Sequence, residues 1–226
     1  MVYGSAAWCG YAAREPAPSV PAPDSPGKRG CSAEFGAGHQ VTQVLRVTSG
    51  TEHHILRADI RQYFDRIDHD LLRARLKKYF RGQLFFSLLD RQLAACAAEP
   101  GTGVGQGSPF SPVLADLFLV EVDDQFFEAL GGYFIRYMDD FILVVLGPRD
   151  EAERTLAALR GALADLHLDL NDKTSILGPR EAVTFLGVRF QRCGGQVCTS
   201  VPGEVVQAKL EEIDEVACAA SHRMSA

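Results

Sequence analysis

Apolar and polar residues alternate from His54 to Ile60, which predicts a β-strand with two different faces. One face carries Leu56, Ala58 and Ile60, and the other carries Ile55, Arg57 and Asp59. Three later segments rich in apolar and β-branched residues also predict strands. They are Tyr133–Tyr137, Phe141–Leu146 and Val183–Phe190. Only the turn Met138-Asp139-Asp140 separates the first two of these, so we expect them to form a hairpin.

Apolar positions repeat at helical spacing in five further segments. The first helix is expected to begin at Asp68 or Asp70, either of which can cap it. Its apolar stripe consists of Leu72, Leu76, Tyr79 and Phe80. The other helices are predicted over Phe85–Ala98, Pro112–Leu130, Glu151–His167 and Gly203–Ala220. A glycine-rich loop, Gly101–Pro109, precedes the helix that begins at Pro112.

The elements follow one another as strand, helices, hairpin, helix and strand, which predicts an α+β fold. An antiparallel, ferredoxin-like sheet backed by helices on one face satisfies this order. The second face of the sheet is expected to stay open. That face would then have room for polar residues and a substrate.

The composition is that of a folded globular protein, with 46% apolar and 23% charged residues among 226. Residues 1–30 are rich in proline and alanine, so we expect an extended or disordered segment there. A folded domain is expected over residues 31–190, and a hairpin with a terminal helix over residues 191–226. No apolar run is long enough to cross a bilayer and no secretory signal is present, which predicts a cytoplasmic protein without membrane contact.

The six cysteines are scattered along the chain and are expected to be reduced and mostly buried. Cys193 and Cys198 flank Gly194-Gly195, which predicts a hairpin turn. A zinc site would need further ligands near this pair, and no residue has a suitable spacing.

The formal net charge of −6 argues against a general affinity for nucleic acid, because phosphate binding usually relies on a basic surface. Any basic surface must therefore be local. The candidate run consists of Arg73, Arg75, Lys77, Lys78 and Arg81. The alternative is that these side chains form a solvated helix face.

Two adjacent carboxylates, Asp139 and Asp140, lie at the tip of the apolar hairpin. One interpretation is a solvated turn, since Asp is a common turn residue. The other is a metal site, because ionised carboxylates repel each other unless a cation lies between them. Asp59, near the end of the first strand, would supply a third carboxylate if that strand lies beside the hairpin. Two metal ions about 4 Å apart could then activate a hydroxyl and stabilise a pyrophosphate leaving group.

Five segments in this order and spacing resemble the palm motifs of reverse transcriptases, and most closely those of the bacterial group II intron and retron type. They are Asp59–His69 (DIRQYFDRIDH), Gln106–Pro112 (QGSPFSP), Tyr137–Asp140 (YMDD), Leu170–Thr174 (LNDKT) and Phe185–Gly187 (FLG). Phe35–His39 (FGAGH) resembles a further segment of that group but lacks its arginines. Five ordered motifs are far more specific than a single YxDD. The resemblance implies an RNA-directed DNA polymerase that uses dNTPs, an RNA template and a DNA primer.

The resemblance also implies a role for each matching residue. Asp59 and Asp139 would bind two Mg²⁺ or Mn²⁺ ions, with support from Asp140 and the Ile60 carbonyl. Phe64 would exclude the 2′-hydroxyl of a ribonucleotide, and Lys173 would donate a proton to the pyrophosphate. The remaining implied contacts are Gln106, Gly107 and Ser108 to the nucleotide and template, and Phe185, Leu186 and Gly187 to the primer end. Without the resemblance, Phe64 and Phe185 would be assigned to the core and Lys173 to the surface.

The resemblance is weakest at the two ends of the chain. The Pro/Ala-rich segment stands where the family has basic fingers, and only 36 residues follow Phe190, where the family has a helical thumb. This predicts a truncated polymerase, or one completed by a second chain that supplies fingers or thumb. Two alternatives stay open. The first is a non-catalytic, RNA-binding remnant, and the second is a template-independent polymerase of a phage-defence system.

Overall fold

The central sheet has four antiparallel strands. The computed structural model describes residues 41–213 apart from positions 43, 47, 49, 97, 98, 106, 107, 131, 132, 195 and 212. The strands are β1 (His53–Asp59), β2 (Phe134–Tyr137), β3 (Asp140–Leu146) and β4 (Ser175–Leu177). Their spatial order is β2-β3-β1-β4, with every neighbouring pair antiparallel. This order is ferredoxin-like and confirms the α+β fold. The short strand β4 was not predicted.

Five helices connect these strands. They are α1 (Tyr63–Arg66), α2 (His69–Tyr79), α3 (Gln83–Cys96), α4 (Ser111–Leu130) and α5 (Arg149–Ala164). The cap of α2 is Asp68, whose Oδ1 accepts hydrogen bonds from the backbone N–H groups of Asp70 and Leu71 at 2.9 and 3.0 Å. The predicted apolar stripe of α2 is correct at two of its four positions, because Leu72 and Leu76 are buried. Tyr79 and Phe80, at the end of this helix, are exposed.

The main hydrophobic core lies between the helices and one face of the central sheet. Leu56 and Ala58 of β1 and Ile60, which follows β1, lie in this core, as the alternating pattern predicted. Phe118 of α4 and Leu159 of α5 pack against them. The helix layer therefore leaves only the opposite face of the sheet for polar side chains.

A second, three-stranded sheet covers part of that opposite face, so the prediction that it stays open is wrong over this part. This sheet consists of β5 (Val183–Phe185), β6 (Val188–Cys193) and β7 (Gln196–Ser200). Phe185 and Phe190 pack with Val44, Ile55 and Val144 in a second core cluster. The covered part extends from Ile55 of β1 to Ile142 of β3, the register partner of Arg57, and Asp59 lies beyond it.

The predicted single strand Val183–Phe190 is also wrong. Leu186 and Gly187 have φ angles of 50° and 76°, so they form a tight turn between β5 and β6. The apolar pattern runs through this turn because Leu186 is itself apolar. Its side chain is 43% exposed.

The remaining predictions concern the cysteines and the termini. Cys193 and Cys198 are exposed on the β6–β7 hairpin, so the prediction of burial is wrong for these two thiols. Residues 203–211 are helical, as predicted, whereas positions 214–220 of that helix lie outside the described residues. The Pro/Ala-rich segment and Phe35–His39 also lie outside them. Within the described part of the chain, no helix combines the length and apolarity that a membrane span requires.

Candidate active site at the acidic edge of the sheet

Three carboxylates meet at one end of the two central strands, β1 and β3. We call this end of the sheet the acidic edge. Asp59 is the last residue of β1 and Asp140 the first of β3, and the two are direct partners in the antiparallel register. Asp139 lies in the turn that precedes Asp140, and its carbonyl accepts a hydrogen bond from the Ile60 N–H at 3.1 Å. We call residues Tyr137-Met138-Asp139-Asp140 the acidic turn. The structure thus brings Asp59, Ile60, Asp139 and Asp140 together.

The charges of these carboxylates oppose one another. Burial raises the pKa of Asp59 to about 6, and the nearby charges of Asp139 and Asp140 add to the increase. Burial also raises the pKa of Asp140, with a further contribution from Asp139. The Arg57 guanidinium, on the same face of β1 as Asp59, favours the charged form of both groups. The cluster therefore has an electrostatic cost that a bound cation would relieve.

Asn171 connects Asp59 to the loop that carries Lys173. The Asn171 side-chain amide donates a hydrogen bond to Asp59 Oδ2, and its backbone N–H donates to the Asp59 carbonyl at 2.8 Å. The Asn171 side-chain oxygen accepts from the Lys173 N–H at 2.8 Å. The Lys173 side chain is exposed. Sequence reasoning did not single out Asn171, although it lies inside the LNDKT segment.

The donor set matches a hard divalent cation in kind, since such ions prefer carboxylate and carbonyl oxygens. Among the described residues, however, no three His, Cys, Asp or Glu side chains converge closely enough to enclose an ion as they stand. The Asn171 side-chain amide occupies one acceptor position on Asp59 Oδ2.

Phe64 lies in the short helix α1, directly after the Asp59 strand. Its ring is half-buried and contacts the Tyr63 ring edge-on at 5.8 Å between centroids. The Phe64 carbonyl accepts a hydrogen bond from the Val104 N–H at 2.9 Å, so the glycine-rich loop packs against α1. A Cβ atom on Gly103 would lie 3.2 Å from the Asp65 carbonyl oxygen. Glycine at position 103 allows this close approach.

The other residues implied as substrate contacts lie in two separate segments of the sequence. Gln106 and Gly107 lie outside the described residues. Ser108 precedes α4, where its hydroxyl accepts a hydrogen bond from the Phe110 N–H at 3.3 Å. The Phe185 side chain is buried in the second core cluster, whereas Leu186 and Gly187 form the β5–β6 turn. Ser108 and Phe185 thus have structural roles that do not depend on a substrate.

Three of the five residues in the candidate basic run form ion pairs with acidic neighbours. Arg73 forms an ion pair with Asp90, and Arg75 and Lys78 both pair with Glu121. Such partly exposed pairs contribute little stability, but they reduce the positive potential of this surface. The interpretation as a solvated helix face fits this arrangement better than a nucleic-acid site does.

Sequence reasoning also missed a buried arginine beneath the acidic turn. Arg136 of β2 is 6% exposed and forms hydrogen bonds with Asp123 and Asp116 of α4. It also donates to the Met138 carbonyl at 2.8 Å. A signal was present in the sequence, because Arg136 interrupts an apolar strand, and Asp116 and Asp123 share one face of an apolar helix at a spacing of seven.

Comparisons with known proteins agree with this architecture. The profile of the family "Reverse transcriptase (RNA-dependent DNA polymerase)" matches residues 21–190. Protein YkfC of Escherichia coli (strain K12) is 28% identical over 178 residues, which cover 61% of this chain and 47% of YkfC.

Solved structures with a similar fold include telomerases of two Candida species. An apo telomerase from Candida tropicalis, truncated from its C-terminal domain, superposes with a TM-score of 0.56 at 15% identity, over 76% of this chain and 40% of that one. A telomerase from Candida albicans in complex with the TWJ fragment of telomeric RNA gives 0.52 at 16% identity, over 75% of this chain and 35% of that one. The chain thus spans less than half the length of these relatives. Because the family profile covers most of the chain, the protein belongs to the reverse transcriptase family.

Proposed function

We propose that this chain is the palm of an RNA-directed DNA polymerase, which adds dNTPs to the 3′-hydroxyl of a DNA primer on an RNA template. The main support is the register pairing of Asp59 with Asp140 beside Asp139 at one edge of the sheet. Membership of the reverse transcriptase family supports a polymerase of the nucleotidyltransferase class. The bacterial group II intron or retron type is the subtype that the motifs favour.

In this proposal Asp59 and Asp139 bind two Mg²⁺ or Mn²⁺ ions, with Asp140 and the Ile60 carbonyl in support. The bound ions would favour ionisation of the primer hydroxyl and stabilise charge on the pyrophosphate. Because the pKa of Asp59 is raised to about 6 in the metal-free protein, protons would compete with the ions for this carboxylate below that pH. Asn171 holds Asp59 from the opposite side and keeps the Lys173 loop beside this edge.

Phe64, Ser108 and Lys173 are the proposed contacts of the incoming nucleotide, together with Gln106 and Gly107. Phe64 lies directly after the metal edge, where its ring would face the sugar and exclude a 2′-hydroxyl. Lys173 would protonate the departing pyrophosphate. The β5–β6 turn, with Leu186 and Gly187 at its tip, would contact the primer end, and Phe185 would anchor that turn in the core.

Primer extension tests the proposal. An RNA template, a DNA primer, dNTPs and Mg²⁺ or Mn²⁺ should give elongated primers, and Asp139→Ala should lower the rate at least about 100-fold. Asp150→Ala is the matched control. Asp150 is an exposed carboxylate in the first turn of α5, which follows the opposite end of β3. Mn²⁺ binding measured by electron paramagnetic resonance should depend on Asp139 and not on Asp150.

Other results would replace this function with one of the alternatives. Incorporation that needs no template would identify a template-independent polymerase. RNA retention on a filter, without incorporation and without Mn²⁺ binding, would identify a non-catalytic RNA-binding module. If Mn²⁺ binds through Asp139 but primers extend only after a second chain with fingers or thumb is added, the proposal of a divided polymerase is supported.

A further inference from the structure

Arg136 forms a buried hydrogen-bonding network that joins three parts of the fold. Its Nε donates to Asp123 Oδ1 at 2.6 Å, and its Nη2 donates to Asp123 Oδ2 and, at 2.8 Å, to Asp116 Oδ1. Its Nη1 donates to the Met138 carbonyl at 2.8 Å. Strand β2, helix α4 and the acidic turn are therefore connected through one guanidinium. A planar group with several fixed donors suits this role better than an ammonium group would.

The acidic turn needs such a connection because its backbone is strained. Met138 has a φ of 55°, in the left-handed region that favours glycine. A residue with a side chain costs about 1 kcal/mol there, so surrounding contacts must hold it in place. The hydrogen bond from Arg136 ends on the carbonyl of this strained residue. The next residue in the chain is Asp139.

Arg136 lies on the opposite face of the sheet from the carboxylates. Its register partner is Phe141, which enters the helix-side core, whereas Asp59 and Asp140 share the other face. The charges that act on the pKa of Asp59 and Asp140 are those of Arg57 and the neighbouring aspartates. Arg136 can thus affect the acidic edge through the backbone of the turn.

We infer that Arg136 is a positioning residue, which fixes the acidic turn so that Asp139 and Asp140 stand opposite Asp59. Asp123 and Asp116 in turn hold Arg136, so the buried face of α4 sets the geometry of the metal edge. This inference rests on the proposed function for its catalytic meaning. The geometric part, that Arg136 orders the turn, can be tested without catalysis.

Substitution of Arg136 alone could not separate a positioning role from a contribution to stability. Without the guanidinium, Asp123 would become a buried and unpaired carboxylate, which is strongly destabilising. The double variant Asp123→Leu/Arg136→Met avoids this problem, because apolar residues of similar volume often replace a buried ion pair without loss of stability. It removes the hydrogen bond to Met138 at the same time. Asp116→Asn is the matched control, since it removes the charge of one partner of Arg136, keeps an acceptor oxygen there and leaves the hydrogen bond to Met138 in place.

Amide hydrogen exchange by NMR reports on the turn directly. The Ile60 N–H donates to the Asp139 carbonyl, so its exchange rate measures how well the turn is ordered. In the double variant we expect the Ile60 amide to exchange at least about tenfold faster, while the Leu143 amide in the middle of β3 is unchanged. Mn²⁺ should bind about tenfold more weakly. In Asp116→Asn both quantities should equal those of the wild type.

The same measurements also define the results that would overturn the positioning role of Arg136. If the double variant folds with unchanged Ile60 exchange and unchanged Mn²⁺ affinity, Arg136 serves stability alone and the inference is wrong. If the double variant does not fold, Arg136→Lys provides the same test, because a compact ammonium on a flexible stem lacks the fixed, forked donors with which the guanidinium contacts Asp123, Asp116 and Met138. Failure of the proposed function would look different. Wild-type protein would then bind no Mn²⁺ through Asp139, whereas Ile60 exchange would still respond to the loss of Arg136.

Discussion

Replacement of Asp59 by Asn should make the metal-free protein more stable while it abolishes metal binding. Asn has nearly the same shape as Asp, and its side-chain oxygen can still accept the hydrogen bond from the Asn171 amide. What the substitution removes is a charge beside Asp139 and Asp140. The prediction therefore separates the electrostatic cost of the acidic edge from its packing.

The size of the effect follows from the pKa of Asp59, which rises from 3.8 to about 6. Each pKa unit corresponds to about 1.4 kcal/mol, so the shift sets an upper limit of about 3 kcal/mol. Because Asp59 is only partly buried, solvent screening reduces the expected gain to about 1 kcal/mol. Because the pKa of Asp59 is higher in the folded state, the free energy of unfolding of the wild type decreases as the pH rises from about 4 to 6. Asp59→Asn should show no such loss from this position.

Urea denaturation followed by far-ultraviolet circular dichroism, in the presence of a chelator, measures this difference. At pH 7.5 the variant should be about 1 kcal/mol more stable than the wild type, and near pH 4 the two should be equal. Mg²⁺ in hundredfold excess over its dissociation constant should stabilise the wild type by about 2.7 kcal/mol and leave the variant unchanged. Equal stability of the two proteins at pH 7.5 without metal would refute the reasoning, since burial and the neighbouring carboxylates would then not disfavour the charge on Asp59.

Three further predictions concern the glycine-rich loop and the proposed nucleotide contacts. Gly103→Ala should lower the free energy of unfolding by about 2 kcal/mol in urea denaturation. Residue 103 has a φ of 86°, where a side chain is strained, and the new Cβ would also lie close to the Asp65 carbonyl oxygen. Phe64→Ala should reduce the preference for dNTPs over ribonucleotides about 10- to 100-fold in single-nucleotide incorporation. Lys173→Ala should lower kcat about 100-fold with a smaller change in KM, as expected for loss of a proton donor.

Each of these predictions has a control. Gly101 has a similar φ of 87° with no neighbour within 4 Å, so Gly101→Ala should cost only about 1 kcal/mol. An equal loss in the two glycine variants would show that the contact with Asp65 does not matter. Unchanged sugar selectivity in Phe64→Ala would assign that ring to the core. A loss of activity in Lys173→Ala that appears only in KM would indicate nucleotide binding without proton transfer.

The sheet edge with its carboxylates is the part of the site that local sequence predicted best. The alternation around Asp59 placed it on the opposite face from Ala58 and Ile60, and two short strands around Asp139 could only form a hairpin. Their proximity then required only that the first strand lie beside that hairpin. The structure has this pairing, with Asp59 opposite Asp140.

Contacts between distant segments could not be predicted in the same way. The hydrogen bonds of Asn171 to Asp59 join residues 112 positions apart, and no local pattern indicates them. In the sequence, Arg136 and Asp123 are single charged residues within apolar segments, and no local pattern indicates that they form an ion pair. The break at Leu186-Gly187 was missed for a different reason, because hydropathy does not report a positive φ at an apolar residue.

The sequence by itself determined the secondary-structure class, the helix-facing side of the first strand and the carboxylates at the strand ends. These follow from residue periodicity, which acts within a few neighbouring positions. Tertiary structure decided which half of the second sheet face is covered, how strongly the three carboxylates repel one another, and what holds the acidic turn. Those properties depend on burial and on hydrogen bonds between segments far apart in the chain, and they exist only once the layers have packed together.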